Sequence, residues 1–213
     1  MGFFKGLFNK STPATPARNL DHVSKLVMGD ILEFSDSFTL PNDIRKQKFE
    51  VIAIETFEFE HQHYPRFKLQ GNLDGYLWLS LPGDNNNSFH ISLEINRDEV
   101  EQLFDLDEFA DIFEEGFSEI NSQQAVSIGD WHADKYYQRD LATVAFHHRE
   151  DFRATQPSKY NEDSNGRRFE YYHLHDSKEQ KLVDIIVQDN GETDVFLTMQ
   201  LANDAIAGFW PIS

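Results

Sequence analysis

Histidine is the residue type that most invites a chemical reading in this chain. Nine occur, and six fall in pairs: His61 with His63, His147 with His148, and His173 with His175. Each pair lies in or beside a run with strand-like alternation. In a strand, residues i and i+2 project from one face, so His-x-His presents two imidazoles to one metal ion. Glu179 follows the third pair, giving His173, His175 and Glu179 as a ligand set for Zn or Fe. Calcium fits neither of two other stretches. From Asp105, an EF-hand loop would need Gly at Ala110 and Glu at Gly116. From Asn161, the positions of Asn161, Asp163, Asn165 and Gly166 are right, but Tyr172 stands where the bidentate carboxylate belongs, so the stretch reads as a plain turn. Zero Cys removes thiolate ligands, disulfides and a cysteine nucleophile. No GxSxG, P-loop, GxGxxG or HExxH occurs. Carboxylates are abundant, yet none is singled out by an apolar setting.

The His173, His175 and Glu179 set, with Gly166 upstream, resembles the first metal motif of the cupins. It departs in the glycine spacing, and no histidine follows His175 to supply the second motif. The resemblance implies a metal-dependent enzyme with a cupin-like His/Glu site. The prevailing expectation places these histidines on the solvent faces of alternating strands, with no metal or cofactor.

The elements that would position such residues are mostly strands. Alternation or short apolar runs predict them at 26–34, 49–60, 66–70, 76–81 and 89–95, then at 134–138, 141–149, 168–175, 181–188 and 193–201. GNLDG at 71–75 and Asp189-Asn190-Gly191 are hairpin turns. Between these groups lies 94–120, with eleven acids and one base. Val100, Leu103 and Phe104 form one helical stripe. Leu106, Phe109, Ala110, Phe113, Phe117 and Ile120 form another, rotated by roughly 120°. Two short helices broken near Asp105 to Asp107 bury one face each, and Asn96 and Asp105 suit their N-caps. The expected fold is α+β, mostly antiparallel β in curved sheets or small barrels. A 1–19 tail precedes a β-rich half at 20–96, an acidic helical connector at 97–120 and a second β-rich half at 121–213. Val27 to Asp30 (VMGD) and Ser127 to Asp130 (SIGD) echo one another a hundred residues apart, which raises an internal duplication.

The 213 residues carry 19 bases against 37 acids, a net charge of −18. This argues against nucleic acid as a partner, and the acidity is read as solubility. Nineteen Phe, seven Tyr and three Trp supply core area. No apolar run approaches a membrane span. Residues 1–19 hold three bases and no acids. There Phe3, Phe4, Leu7 and Phe8 stand at helical spacing as a contact for a protein partner or a membrane surface, or as a segment packing on its own acidic domain. At the other end, Phe209 and Trp210 are expected to cover a core edge.

LVMGDILEF, KFEVIAIETFEFE, FKLQG with YLWLSL, and the opening MGFFKGLFNK resemble uncharacterised bacterial proteins of the YjfK type, over roughly residues 1–120. That family carries a domain of unknown function. The resemblance implies no activity or catalytic residues, and at most an association with PspA-like membrane-stress systems. The functional expectation is a non-enzymatic protein-binding module, cytoplasmic or peripheral at the inner membrane surface, with homo-oligomerisation compatible. Its ionisable side chains would mainly keep it in solution.

Overall fold

In the computed structural model, residues 18–83, 87–123, 128–157, 160 and 165–212 are described. The tail residues Phe3, Phe4, Leu7 and Phe8 lie outside them. Alternating side chains and tight turns produce β1 (Ile31–Phe34), β2 (Lys48–Glu58), β3 (His63–Gln70), β4 (Leu77–Ser80), β5 (Ser88–Ile95) and β6 (Glu119–Asn121). They continue in β7 (Lys135–His148), β8 (Arg167–His175), β9 (Lys181–Gln188), β10 (Thr193–Ala202) and β11 (Ile206–Trp210). Strands take 47% of the chain and helices 13%, so helices are local cover rather than a layer, and mostly antiparallel β describes the fold better than α+β.

All pairings are antiparallel, in the order β11-β1-β2-β3-β4-β5-β10-β9-β8-β7-β6. A further pairing of β2 with β7, from Thr56 opposite His148 to Glu58 opposite Phe146, closes β2 through β7 into a ring of eight strands. The two long strands make closure feasible. Each pairs with an outer strand at its start, β2 with β1 and β7 with β6, and with the other at its end. Bulges between Val51 and Ala53, and from Gln138 to Thr143, bend both strands as a ring requires. Ala142 at φ 48° marks the second bend. Residues 134–138 and 141–149, expected as two strands, therefore belong to one kinked strand.

Strands from 20–96 and 121–213 share this sheet, meeting at β5 with β10 and at β2 with β7. The order 1-2-3-4-5 followed by 10-9-8-7-6 is palindromic. Gly29 and Gly129 of the VMGD and SIGD echo both take a positive φ, 85° and 58°, but their aspartates differ. Asp30 is fully buried and accepts from the backbone N–H of Val27 (2.7 Å) and Ile212 (2.9 Å), besides pairing with Arg18. Asp130 is exposed. Asp30 thus ties the chain's two ends to the start of β1. Gly29 turns with φ 85°, and a Cβ there would lie 2.5 Å from Ile212. That turn shortens the strand expected over 26–34 to Ile31–Phe34.

The connector folds as α1 (Arg97–Leu103) and α2 (Leu106–Ala110). Asn96 Oδ1 accepts from Glu99 N (3.1 Å) while the Glu99 carboxylate accepts from Asn96 N (2.8 Å). Asp105 Oδ1 accepts from the N–H groups of Asp107 and Glu108. These caps satisfy N–H groups that have no partner within the helix. Val100, Leu103 and Phe109 pack inward. The second stripe is not one face, because a 3₁₀ turn at Asp111–Phe113 and Gly116 at φ 111° end the helical period. Ile112 and Ile120 are buried, whereas Leu106, Phe113 and Phe117 are exposed.

The two faces of the ring differ in kind. The apolar face, including Phe67, Leu79, Ile91, Leu197 and Val183, joins a large core with Leu32 and Phe34 of β1, Leu103, Phe109 and Trp131. Outer strands, helices and turns cover it, and at the C-terminal end Phe209 packs on it while Trp210 is half-exposed. The other face carries many polar side chains, and there residues from well-separated strands touch. Arg66 of β3 lies over Phe196 of β10, three strands away round the ring. Phe57 of β2 meets Phe169 of β8 at 4.8 Å. Only a concave face brings such positions together, so the polar face lines the lumen.

Candidate functional site

Register decides which side chains enter the lumen. On β3, Tyr64, Arg66 and Lys68 alternate inward, and Arg66 stands between Glu55 of β2 and Ser80 of β4. Its guanidinium carbon sits 4.2 Å from the Phe57 ring centroid, 4.5 Å from Trp78 and 4.9 Å from Phe196. Arg66 is only 7% exposed. Among the described residues it forms neither an ion pair nor a side-chain hydrogen bond. Burial lowers its pKa against the attraction of Tyr64, Asp184 and Glu55, and guanidinium stays charged in proteins. A cation is therefore held on three aromatic faces with its N–H groups unengaged by protein.

Around it the lumen has two compartments. The first, of about 480 Å³, is walled by Phe57, Arg66, Trp78, Phe169, Ile186 and Phe196, with Arg149, Arg167 and Arg168 toward its mouth. The second, of about 510 Å³, shares Phe57, Arg66, Ile186 and Phe196 and adds Tyr64, His90, Tyr171, His173 and Asp184. Arg66 thus belongs to both. Glu55, also in the first compartment, bonds to His147 Nε2 at 2.7 Å. Burial pushes its pKa up, but that hydrogen bond and the charge of His147 outweigh it and leave the carboxyl below its ordinary range. Trp78 Nε1 and Gln188 Oε1, on walls of this compartment, are buried without a hydrogen-bond partner among the described residues. Such atoms are rare in folded proteins and call for an explanation.

The second compartment is organised by Asp184. Its carboxylate accepts from His173 Nδ1 (2.7 Å), Thr198 Oγ1 (2.6 Å) and Tyr171 Oη. Ser92 Oγ lies 2.7 Å from Thr198 Oγ1, extending the network to β5. Burial would raise the Asp184 pKa, yet the His173, Thr198 and Tyr171 hydrogen bonds hold it well below the usual carboxylate range. Burial would lower that of His173, but the hydrogen bond and charge of Asp184 raise it. His90 has no such partner among the described residues, and burial pushes it down to about 4. One imidazole is therefore stabilised as a cation and another as a neutral ring.

The sequence-predicted metal ligands are not brought together. His173 turns to Asp184, His175 Nδ1 bonds the Asp176 carbonyl, and Glu179 pairs with Arg139 at the surface. Among the described residues no group of three or more His, Asp or Glu is placed to hold a metal ion. His148 bonds buried Glu58 at 2.8 Å, and His61 is exposed. The expectation that ionisable groups mainly serve solubility fails at the lumen, where Arg66 is buried and His173 and Asp184 are half-buried. Sequence reasoning missed Arg66 and Asp184. Arg66 has no signal, since its alternation with Phe67 and Leu69 is what a solvent face would show. Asp184 has one, because it interrupts the apolar run Leu182 to Val187.

No family model matches this chain, and neither a curated protein nor a solved structure does.

Proposed function

We propose that this chain is a binding protein that takes a small anionic amphiphile into its lumen, with the anionic group on Arg66. The observation that carries this reading is the buried guanidinium with no carboxylate on it among the described residues. Burying a charge is costly, and such groups are normally paired. Aromatic faces offset part of that cost. An incoming carboxylate or phosphate would supply the missing hydrogen bonds. Eight-stranded rings are wide enough to hold one small ligand, and compartments of about 480 and 510 Å³ suit one. Phe57, Trp78, Phe169 and Phe196 suit a planar apolar body. Arg149, Arg167 and Arg168 at the mouth stand beside Glu94, Glu150 and Asp194, so the entrance is locally balanced in charge although the whole chain carries −18. This keeps the non-enzymatic class and replaces a protein partner with a small molecule.

Titration calorimetry with 2-naphthoate, 1-naphthyl phosphate and neutral 2-naphthalenemethanol tests the reading. A hydrogen bond to a charged group is worth about 1.5–3 kcal/mol, so an anionic probe should bind about 10- to 150-fold tighter than the alcohol. The two anions distinguish carboxylate from phosphate. In Arg66→Met the anion's advantage should vanish. Absence of binding by either anion at millimolar concentration, or unchanged preference in the variant, would overturn it.

A further inference from the structure

The second compartment holds an imidazole whose orientation is fixed and whose outer nitrogen is unused. His173 Nδ1 is committed to Asp184. Asp184 is in turn held by Tyr171 from β8 and Thr198 from β10, with Ser92 of β5 behind Thr198. Nε2 has no hydrogen bond to any described residue, and the ring lines the compartment that Arg66 shares. An Asp–His pair of this form fixes ring direction and tautomer and leaves the far nitrogen for a ligand.

We infer that His173 Nε2 is a second ligand contact: the lumen takes an organic acid carrying a carbonyl or hydroxyl oxygen a few bonds from its anionic group, with that oxygen at His173 and the acid at Arg66. The inference rests on the anion-binding reading and narrows its ligand class from amphiphilic acids in general to oxo or hydroxy acids. The hydrogen bond and charge of Asp184 raise the His173 pKa above its ordinary value, so below that value the protonated ring is favoured, and its Nε2 donates and selects an acceptor. The bland alternative is a purely structural network that ties β8, β9, β10 and β5 together. It predicts no preference among ligands.

Two probes separate these cases. 4-Oxo-4-phenylbutanoate and 4-phenylbutanoate share a carboxylate and a ring and differ by one ketone oxygen. At pH 6, calorimetry on the full chain should give at least fivefold tighter binding of the oxo acid. His173→Phe should abolish that ratio, so that the two probes bind it with equal affinity. His173→Gln, which keeps a donor at similar reach, should retain part of it and serves if the Phe variant melts early. Arg66→Met should lose both probes. Equal affinities for both probes in the unaltered protein would overturn the inference and leave anion binding standing. Equal loss of both probes in the His173 variants would also overturn it, in favour of the structural network. If neither probe binds, the anion-binding reading itself falls.

Discussion

Arg66→Met separates a residue kept for a ligand from one kept for the fold. Met matches the arginine stem as far as Nε and ends one atom short of the guanidinium carbon, which lies 4.2, 4.5 and 4.9 Å from the three rings, so sulfur and methyl packing replaces only part of those contacts. The variant loses three cation–π contacts, each about 1 kcal/mol, or about 3 in all. It is relieved of the several kcal/mol needed to hold an ion away from water, and methionine–aromatic contacts return about 1 kcal/mol. Among the described residues no ion pair is broken, and only the longer-range attraction of Asp184 and Glu55 is lost. The balance favours the variant by about 1 to 3 kcal/mol. For a chain of this size each 1 kcal/mol moves the melting temperature by about 2–4 °C. Differential scanning calorimetry without ligand should therefore show Arg66→Met melting at least about 2 °C above the unaltered protein, while anionic probes no longer bind. A variant destabilised by about 3–5 kcal/mol, the signature of breaking a buried charge network, would refute the reasoning.

Three further outcomes follow from particular contacts. Asp30→Ala strands the Val27 and Ile212 N–H groups and leaves Arg18 with only the Lys25 carbonyl, so chemical denaturation should show a loss of about 2–4 kcal/mol. Gly29→Ala places a Cβ against Ile212 at a left-handed φ of 85°, and the melting temperature should fall by the equivalent of about 1–3 kcal/mol. The raised His173 pKa means the folded state holds that proton more tightly than the unfolded chain. Its contribution is complete below the unfolded value near 6.5 and is lost as pH rises through the folded value. The stability gap between the unaltered protein and His173→Gln should thus be widest from about pH 5 to 6.5 and narrow toward pH 9, read by melts across that range. The depressed Asp184 pKa closes the window from below, since its contribution is present above its unfolded value near 3.9 and fades as acid protonates it.

Local rules made the strands legible. Phe89, Ile91 and Ile95 alternate with polar residues and form β5, and Asp189-Asn190-Gly191 turns β9 into β10. The caps at Asn96 and Asp105 were legible for the same reason, since they depend on residues two or three positions away. Ring closure was not. It depends on Thr56 meeting His148 across more than ninety residues, a contact that leaves no local periodicity. Closure then changes the meaning of every alternating strand. The face that water would solvate in an open sheet becomes the wall of a lumen, and the apolar face needs an outer cover. Arg66, Ser92 and His173 therefore looked like solvent residues. The spacing of His173, His175 and Glu179 points to a metal along β8, whereas the partner of His173 is the Asp184 carboxylate across the hairpin in β9. The lone acid inside LVDIIV was the one written hint of a charged interior.

A crystal structure of the protein soaked with 4-bromophenylacetate tests the central claim most directly. The bromine's anomalous signal should appear within the ring beside Phe57, Phe169 and Phe196, with the carboxylate on the guanidinium of Arg66, and should vanish in Arg66→Met. An empty lumen at saturating ligand, or the same bromine peak in the variant, would contradict the account.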